Sequence, residues 1–156
     1  MVRAVSDHPN AELARLVWDA IARGDADGLR AFLAPDLVWR ATARGTPWAG
    51  VHRGADAAVD LLARVGEATD VLAAQLVDIL ASDARLLVLF HVQLAMKGRR
   101  VELDYLLLAR VEDGRFAEVW TALTEHRAQL AASEVWTAPL DPPAIEAFWA
   151  GLSLAR

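Results

Sequence analysis

The sequence predicts an α+β fold, with three N-terminal helices packed on one face of a curved antiparallel (mixed) sheet. Three observations predict it. The first half of the chain reads as three helices separated by Gly, Asp and Pro punctuation. The second half is a run of long apolar stretches broken at Gly98-Arg99 and Asp113-Gly114, the marks of hairpins. A length of 156 residues with 55% hydrophobic side chains suits one domain with a large core, or a core and a lined cavity.

Asn10 is placed to cap a first helix that runs to about Arg23. Leu13, Leu16, Val17 and Ile21 recur at helical spacing, and Glu12 sits in the first turn. Gly24-Asp25 stops it. Ala26 to Leu33 reads as a second short helix ended near Pro35. Asp36 to Thr42 reads as a strand, and Ala43 to Gly54 as a loop rich in Gly, Pro and Arg. A third helix spans about Ala55 to Glu67, with Ala58, Leu61, Leu62 and Val65 on one face. Val71 to Ala81 fits no single period; its flanks, Thr69-Asp70 and Ser82-Asp83, favour a strand. Arg85 to Lys97, Arg100 to Glu112 and Phe116 to Leu123 complete a meander.

A turn at Gly98-Arg99 sets Lys97 opposite Arg100, Gln93 opposite Asp104 and Tyr105 opposite Val92. Side chains alternate faces along a strand. One face of this hairpin then carries Phe90, Val92, Leu94, Met96, Val101, Leu103, Tyr105 and Leu107; the other carries His91, Gln93, Glu102 and Asp104. The apolar face is expected against the helices, the polar patch against water or a second subunit.

Composition excludes several functions. Net charge is −5, so the basic footprint of a nucleic-acid binder is missing. There is no cysteine, hence no disulfide or thiolate chemistry. The four histidines, at 8, 52, 91 and 126, have no metal-ligand spacing, so no metal is expected. No GxSxG, phosphate-cradling glycine loop or dinucleotide fingerprint occurs, and no cofactor is expected. The polar start, Met1 to Asn10, lacks an apolar signal core, and no run is long enough to span a bilayer; a cytoplasmic protein is the expectation.

Three stretches, "GDADGLRAFLAPDLVW", "GVHRGADAAVDLL" and "LLLARVEDGRFAEVW", resemble the SnoaL-like branch of the nuclear-transport-factor-2-like, or ketosteroid isomerase-like, superfamily. The resemblance covers roughly Glu12 to Leu123. It implies a cone, with helices against a strongly curved sheet, a pocket at the open end, and dimers through the convex sheet face. The superfamily includes ketosteroid isomerases, epoxide hydrolases, dehydratases, polyketide cyclases and non-catalytic binding proteins, so fold alone licenses no reaction. The polar groups of the ketosteroid isomerase site fall at Val17, Ala41, Leu62 and Leu107 of this chain, and those of the epoxide hydrolase near Phe90, Val92 and Ala122. The dehydratase's histidine pair has no clear match. Proton abstraction and water activation need a group of tunable pKa at the reacting atom, and the mapped positions offer none.

The resemblance places Trp18, Trp39, Trp48 and Trp120 at the pocket wall or mouth. There they hold a flat apolar ligand or simply pack the core. With Val17, Leu62, Phe90, Val92, Leu103, Tyr105 and Leu107, three of them (Trp39, Trp48 and Trp120) form the expected ligand-binding set. Tyr105, the one tyrosine, stands among aliphatics and needs a hydrogen-bond partner: a substrate oxygen or a backbone carbonyl. Arg40, Arg44 and His52 are candidates for the pocket mouth, where they steer an anionic ligand or form a solvated face. Tyr105, His91 and Asp104 are the candidate catalytic residues. His91 and Asp104 are diagonal neighbours in the expected register, as a general-base pair or as part of a polar interface.

Two functions follow. One is a cofactor-independent cyclase, isomerase or lyase of secondary metabolism, acting on a small hydrophobic molecule. The other is a binding or accessory module without chemistry, and the apolar mapped positions favour it. A homodimer is the expected assembly. The pentapeptide EVWTA occurs twice, at Glu118–Ala122 and Glu134–Ala138. The pocket domain is expected to span 1–123. Residues 124–156 then form a C-terminal extension (a helix, an extra strand and a terminal helix) that lids the pocket or binds the partner subunit.

Overall fold

α1 (Pro9–Arg23) begins at His8, whose ring nitrogen accepts the backbone N–H of Asn10 at 3.1 Å. The computed structural model describes residues 7–42 and 46–123. Asn10 was expected as the cap, yet Pro9 takes the first helical position and moves the cap back two residues. The Asn10 amide instead donates to the carbonyls of Ser82 and Asp83, at 2.7 and 3.0 Å, fastening α1 to a distant turn. Gly24 closes the helix in the left-handed conformation, at φ 65°.

α2 (Ala26–Ala31) is capped by Asp25, whose carboxylate accepts the Gly28 N–H at 2.9 Å. β1 (Leu33–Ala41) starts earlier than expected and contains Pro35. Its pairing is irregular between Leu33 and Val38, and a residue without an N–H is tolerated at such a break. The expected loop holds a four-residue strand, β2 (Gly50–Arg53), antiparallel to β1. Backbone pairing alone makes this element, since its side chains are mostly exposed and leave no apolar pattern to read. α3 (Ala55–Ala68) follows, then β3 (Asp70–Ala81), β4 (Arg85–Met96), β5 (Arg99–Glu112) and β6 (Arg115–Leu123).

The six strands form one sheet in the order β2-β1-β6-β5-β4-β3. All pairings are antiparallel except β1 with β6, so the sheet is mixed as expected. α1 packs on β3 and β4, α3 on β1, β2 and β3, and α2 between the other two helices. The core they bury includes Leu33, Leu37, Ile79, Leu86, Phe116 and Val119.

The β4–β5 turn differs from the expectation by one residue. Lys97 and Gly98 are its central pair, at φ 48° and 75°, and Met96 faces Arg99. Two successive positive φ values are what a two-residue hairpin turn of matching twist requires. Cross-strand partners therefore move by two: Tyr105 faces Phe90, His91 faces Asp104, and Gln93 faces Glu102. A shift of two preserves the alternation, so the division into apolar and polar faces stands.

A second irregularity has larger consequences. The β5–β6 register shifts between Arg110 and Val111, where Ala117 is the extra residue on β6. Without that bulge Trp120 would stand beside Leu107. With it, Thr121 pairs with Leu107 and Trp120 with Leu108 on the opposite face.

Candidate ligand cavity

The concave side of the sheet and helices α1 and α3 enclose a cavity of about 410 Å³. That volume falls in the range of small-molecule sites. Its helical wall includes Val17 and Trp18 from α1 and Leu61, Leu62 and Val65 from α3. Its sheet wall includes Trp39, Phe90, Val92, Tyr105, Leu107 and Thr121, and Trp48 joins from the segment before β2. Ala22 and Val71, both exposed, mark where it opens.

Eight of the expected ligand-binding residues line this space: Val17, Trp39, Trp48, Leu62, Phe90, Val92, Tyr105 and Leu107. Two do not. Leu103 is 2% exposed and packs into the core cluster without reaching the cavity. Trp120 is turned outward by the Ala117 bulge, and the Arg40 guanidinium lies 5.1 Å from its ring centre. Thr121 takes its place, a residue the sequence reading did not select. With the Asp113-Gly114 turn fixed, an unbroken register would put Val119 on the outer face, and the bulge brings it to the core.

The candidate pocket-mouth residues divide as well. Arg40 sits on the outer face, where Glu118 Oε2 accepts from it at 3.3 Å and Glu118 Oε1 accepts from Arg110 at 3.1 Å. His52 Nε2 donates to the Trp48 carbonyl at 2.8 Å and so braces the turn that presents Trp48. Arg44 lies outside the described residues. The two that are described have structural partners and do not line the cavity.

His91 and Asp104 are paired, Nδ1 to Oδ1 at 2.7 Å, but on the convex face. Both are partly exposed there, with side-chain exposures of 31% and 40%. Neither lines the cavity, and the sheet stands between them and it.

Among the described residues Tyr105 is the sole titratable side chain in the lining. Its ring stacks on Phe90, with centroids 5.3 Å apart and planes 7° apart, and Phe90 meets Trp18 at 5.3 Å. The Tyr105 hydroxyl makes no hydrogen bond to another described residue. Burial pushes its pKa up from 10.0 to about 12. The neutral phenol is thus held through the physiological range as a hydrogen-bond donor. Linkage gives a sign: between pH 10 and pH 12 the unfolded chain has lost this proton while the folded chain keeps it. Stability falls over that window, by on the order of 2 kcal/mol at 1.36 kcal/mol per unit. As the one tyrosine of the chain, it can be followed alone. Tyrosinate absorbance should rise near pH 12 in the folded protein and near pH 10 in denaturant; a folded midpoint at the ordinary value would contradict the burial.

Among the described residues no group of three or more His, Cys, Asp or Glu is placed to hold a metal. None of the described helices is long and apolar enough to cross a membrane.

The model of the SnoaL-like domain family matches residues 14–119. The chain belongs to this family. An uncharacterized protein of Mycobacterium tuberculosis, Rv0034, is 28% identical over 148 residues, which is 94% of this chain and 100% of that one. Among solved structures, an NTF2-like protein of Burkholderia xenovorans superposes with a TM-score of 0.72 at 25% identity, covering 83% of this chain and 99% of that one. TerC, co-crystallized with polyporic acid, shares the fold at a TM-score of 0.67 and 17% identity, covering 84% of this chain and 100% of its own. The ketosteroid isomerase-like expectation is met in architecture. Val17, Ala41, Leu62 and Leu107, where the resemblance mapped polar groups of the isomerases, all line the cavity of this SnoaL-like chain as apolar side chains. The second EVWTA copy and the expected extension, 124–156, lie outside the described residues.

Proposed function

We propose that this SnoaL-like protein holds a small hydrophobic molecule in the cavity between α1, α3 and the concave sheet face, as a binding or accessory module. One observation carries the reading: the lining combines apolar and aromatic side chains with a single titratable group, Tyr105, whose hydroxyl has no partner among the described residues. Tyr105 is partly buried, and a hydroxyl that loses hydration without gaining a protein partner is one a ligand oxygen would satisfy. TerC, of the same fold, was co-crystallized with polyporic acid, which supports ligand binding within this fold without fixing the ligand of this chain.

The carbonyl probe prodan tests this, because its emission moves to the red when its carbonyl accepts a hydrogen bond. Wild-type protein should give a saturable bound signal, blue-shifted from the free probe in water yet redder than a site without a donor would give. Tyr105→Phe should shift that signal to the blue and weaken binding about fivefold, the value of one neutral hydrogen bond. Identical spectra would remove Tyr105 from recognition.

The same unpartnered donor favours a second reading, a cofactor-independent cyclase of secondary metabolism. Its cavity would hold a folded reactive conformer, and Tyr105 would stabilise charge developing on a carbonyl oxygen. The module reading ranks first because no described carboxylate, histidine, lysine or arginine reaches the cavity to move a proton.

We also propose a homodimer through the convex face. Leu87, Leu89, Leu106, Leu108 and Trp120 are only partly buried there, beside the His91–Asp104 pair. Leu106→Glu should convert a dimer to a monomer in sedimentation velocity; an unaltered sedimentation coefficient rules this face out.

A further inference from the structure

The cavity wall holds a second unspent hydrogen-bond donor. Trp39 Nε1 lies 3.3 Å from Thr121 Oγ1, and an indole N–H only donates, so it occupies a lone pair of the threonine oxygen. The Thr121 proton is not used in that contact, and it meets no acceptor among the described residues. Thr69 makes the contrast. It lines the same cavity, but its hydroxyl donates to the Val65 carbonyl at 2.7 Å and is spent.

Thr121 and Tyr105 have a fixed relation. Thr121 faces Leu107 across β5 and β6, and Tyr105 is two residues before Leu107 on the same face. The two hydroxyl-bearing residues are therefore diagonal neighbours on adjacent strands. Trp39 anchors the threonine from the β1 side and Phe90 stacks on the tyrosine from the β4 side. Across the wall the order is Trp39, Thr121, Tyr105, Phe90: two donors between two aromatic flanks.

From this arrangement we infer that the ligand class is an uncharged molecule carrying two acceptor oxygens on one apolar skeleton, one oxygen taken by Tyr105 and the other by Thr121. This rests on the reading of the cavity as a ligand site. Charge is excluded on physical grounds, since no described lining side chain offers an opposite charge to offset desolvation.

Two fused-ring ketones test it: menadione, with two carbonyl oxygens, and α-tetralone, with one. Each displaces the neutral fluorescent probe N-phenylnaphthylamine from the full-length protein. The absence of cysteine removes thiol addition to the quinone as a complication. Menadione should bind about fivefold more tightly than α-tetralone, the equivalent of one further neutral hydrogen bond. Thr121→Val, which keeps the side-chain shape, should erase that advantage and leave α-tetralone within about twofold. Thr121→Ser should restore it. If Thr121→Val weakens both ketones alike, or neither, the second donor has no role and the inference falls while the cavity reading stands. If N-phenylnaphthylamine itself fails to bind, the cavity reading falls and takes the inference with it.

Discussion

Val17→Trp combined with Val92→Phe should abolish binding of N-phenylnaphthylamine, with an affinity loss of at least about thirtyfold, or about 2 kcal/mol. Both positions line the cavity, Val17 on α1 and Val92 on β4. Both are nearly closed to solvent, at 4% and 8% exposure, so enlarged side chains have only the cavity to enter. Overpacking a filled core costs about 1–3 kcal/mol, but here the space is already open and the penalty should be at the low end. The variant should therefore stay folded, with a near-native melting temperature, while losing the probe. A variant that folds and still binds at wild-type affinity would place the probe elsewhere on the molecule.

Phe116→Ala should lower stability by about 3–5 kcal/mol, the usual range for truncating a buried aromatic ring. Phe116 is 1% exposed and is among the largest fully buried side chains described. It stands where three features meet. Its N–H donates to the Phe32 carbonyl at 2.9 Å, it pairs with Leu33 on β1, and it faces Val111 just before the Ala117 bulge. Loss of the ring opens a void beside an existing cavity and loosens the residue that sets the phase of β6. Against a typical total of about 5–15 kcal/mol this is a large share. Urea denaturation should show a lower midpoint at an unchanged slope. A change below about 1 kcal/mol would mean that the ring is not closely packed.

Helices and hairpins were legible because their signals are local. Glu12 and Gly24 mark α1, and Asp113-Gly114 marks the last turn with both φ values positive, at 50° and 69°. β3 was ambiguous for a physical reason. Its register shifts at Leu72 and Val77, so the residues paired with the inward side of β4 are Val71, Ala74, Leu76, Ile79 and Ala81. That spacing is neither two nor 3.6, and only pairing with β4 makes it a strand. β2 was missed because four mostly exposed residues in a glycine-rich stretch carry no apolar pattern.

At the site, strand alternation brought Phe90, Val92, Tyr105 and Leu107 to one wall correctly even though the turn was read one residue late. The same rule failed on β6, where the bulge exchanges Trp120 for Thr121. A bulge is a tertiary decision, taken because Phe116 and Val119 both gain burial, at 1% and 0% exposure, and no local composition announces it. Arg40 illustrates the other gap. Its partners, Glu118 and Trp120, lie about eighty residues along the chain, and a basic cluster read from sequence cannot show that they claim it.

An open apolar cavity that takes up a neutral molecule is the centre of the proposed function. Titrating N-phenylnaphthylamine into the full-length protein tests that most directly, with emission excited through tryptophan. The lining tryptophans Trp18, Trp39 and Trp48 should transfer energy to a probe held among them. A saturable, blue-shifted emission at one probe per chain is expected, abolished by Val17→Trp with Val92→Phe. Emission that rises without saturating, or that persists in the filled variant, would contradict it.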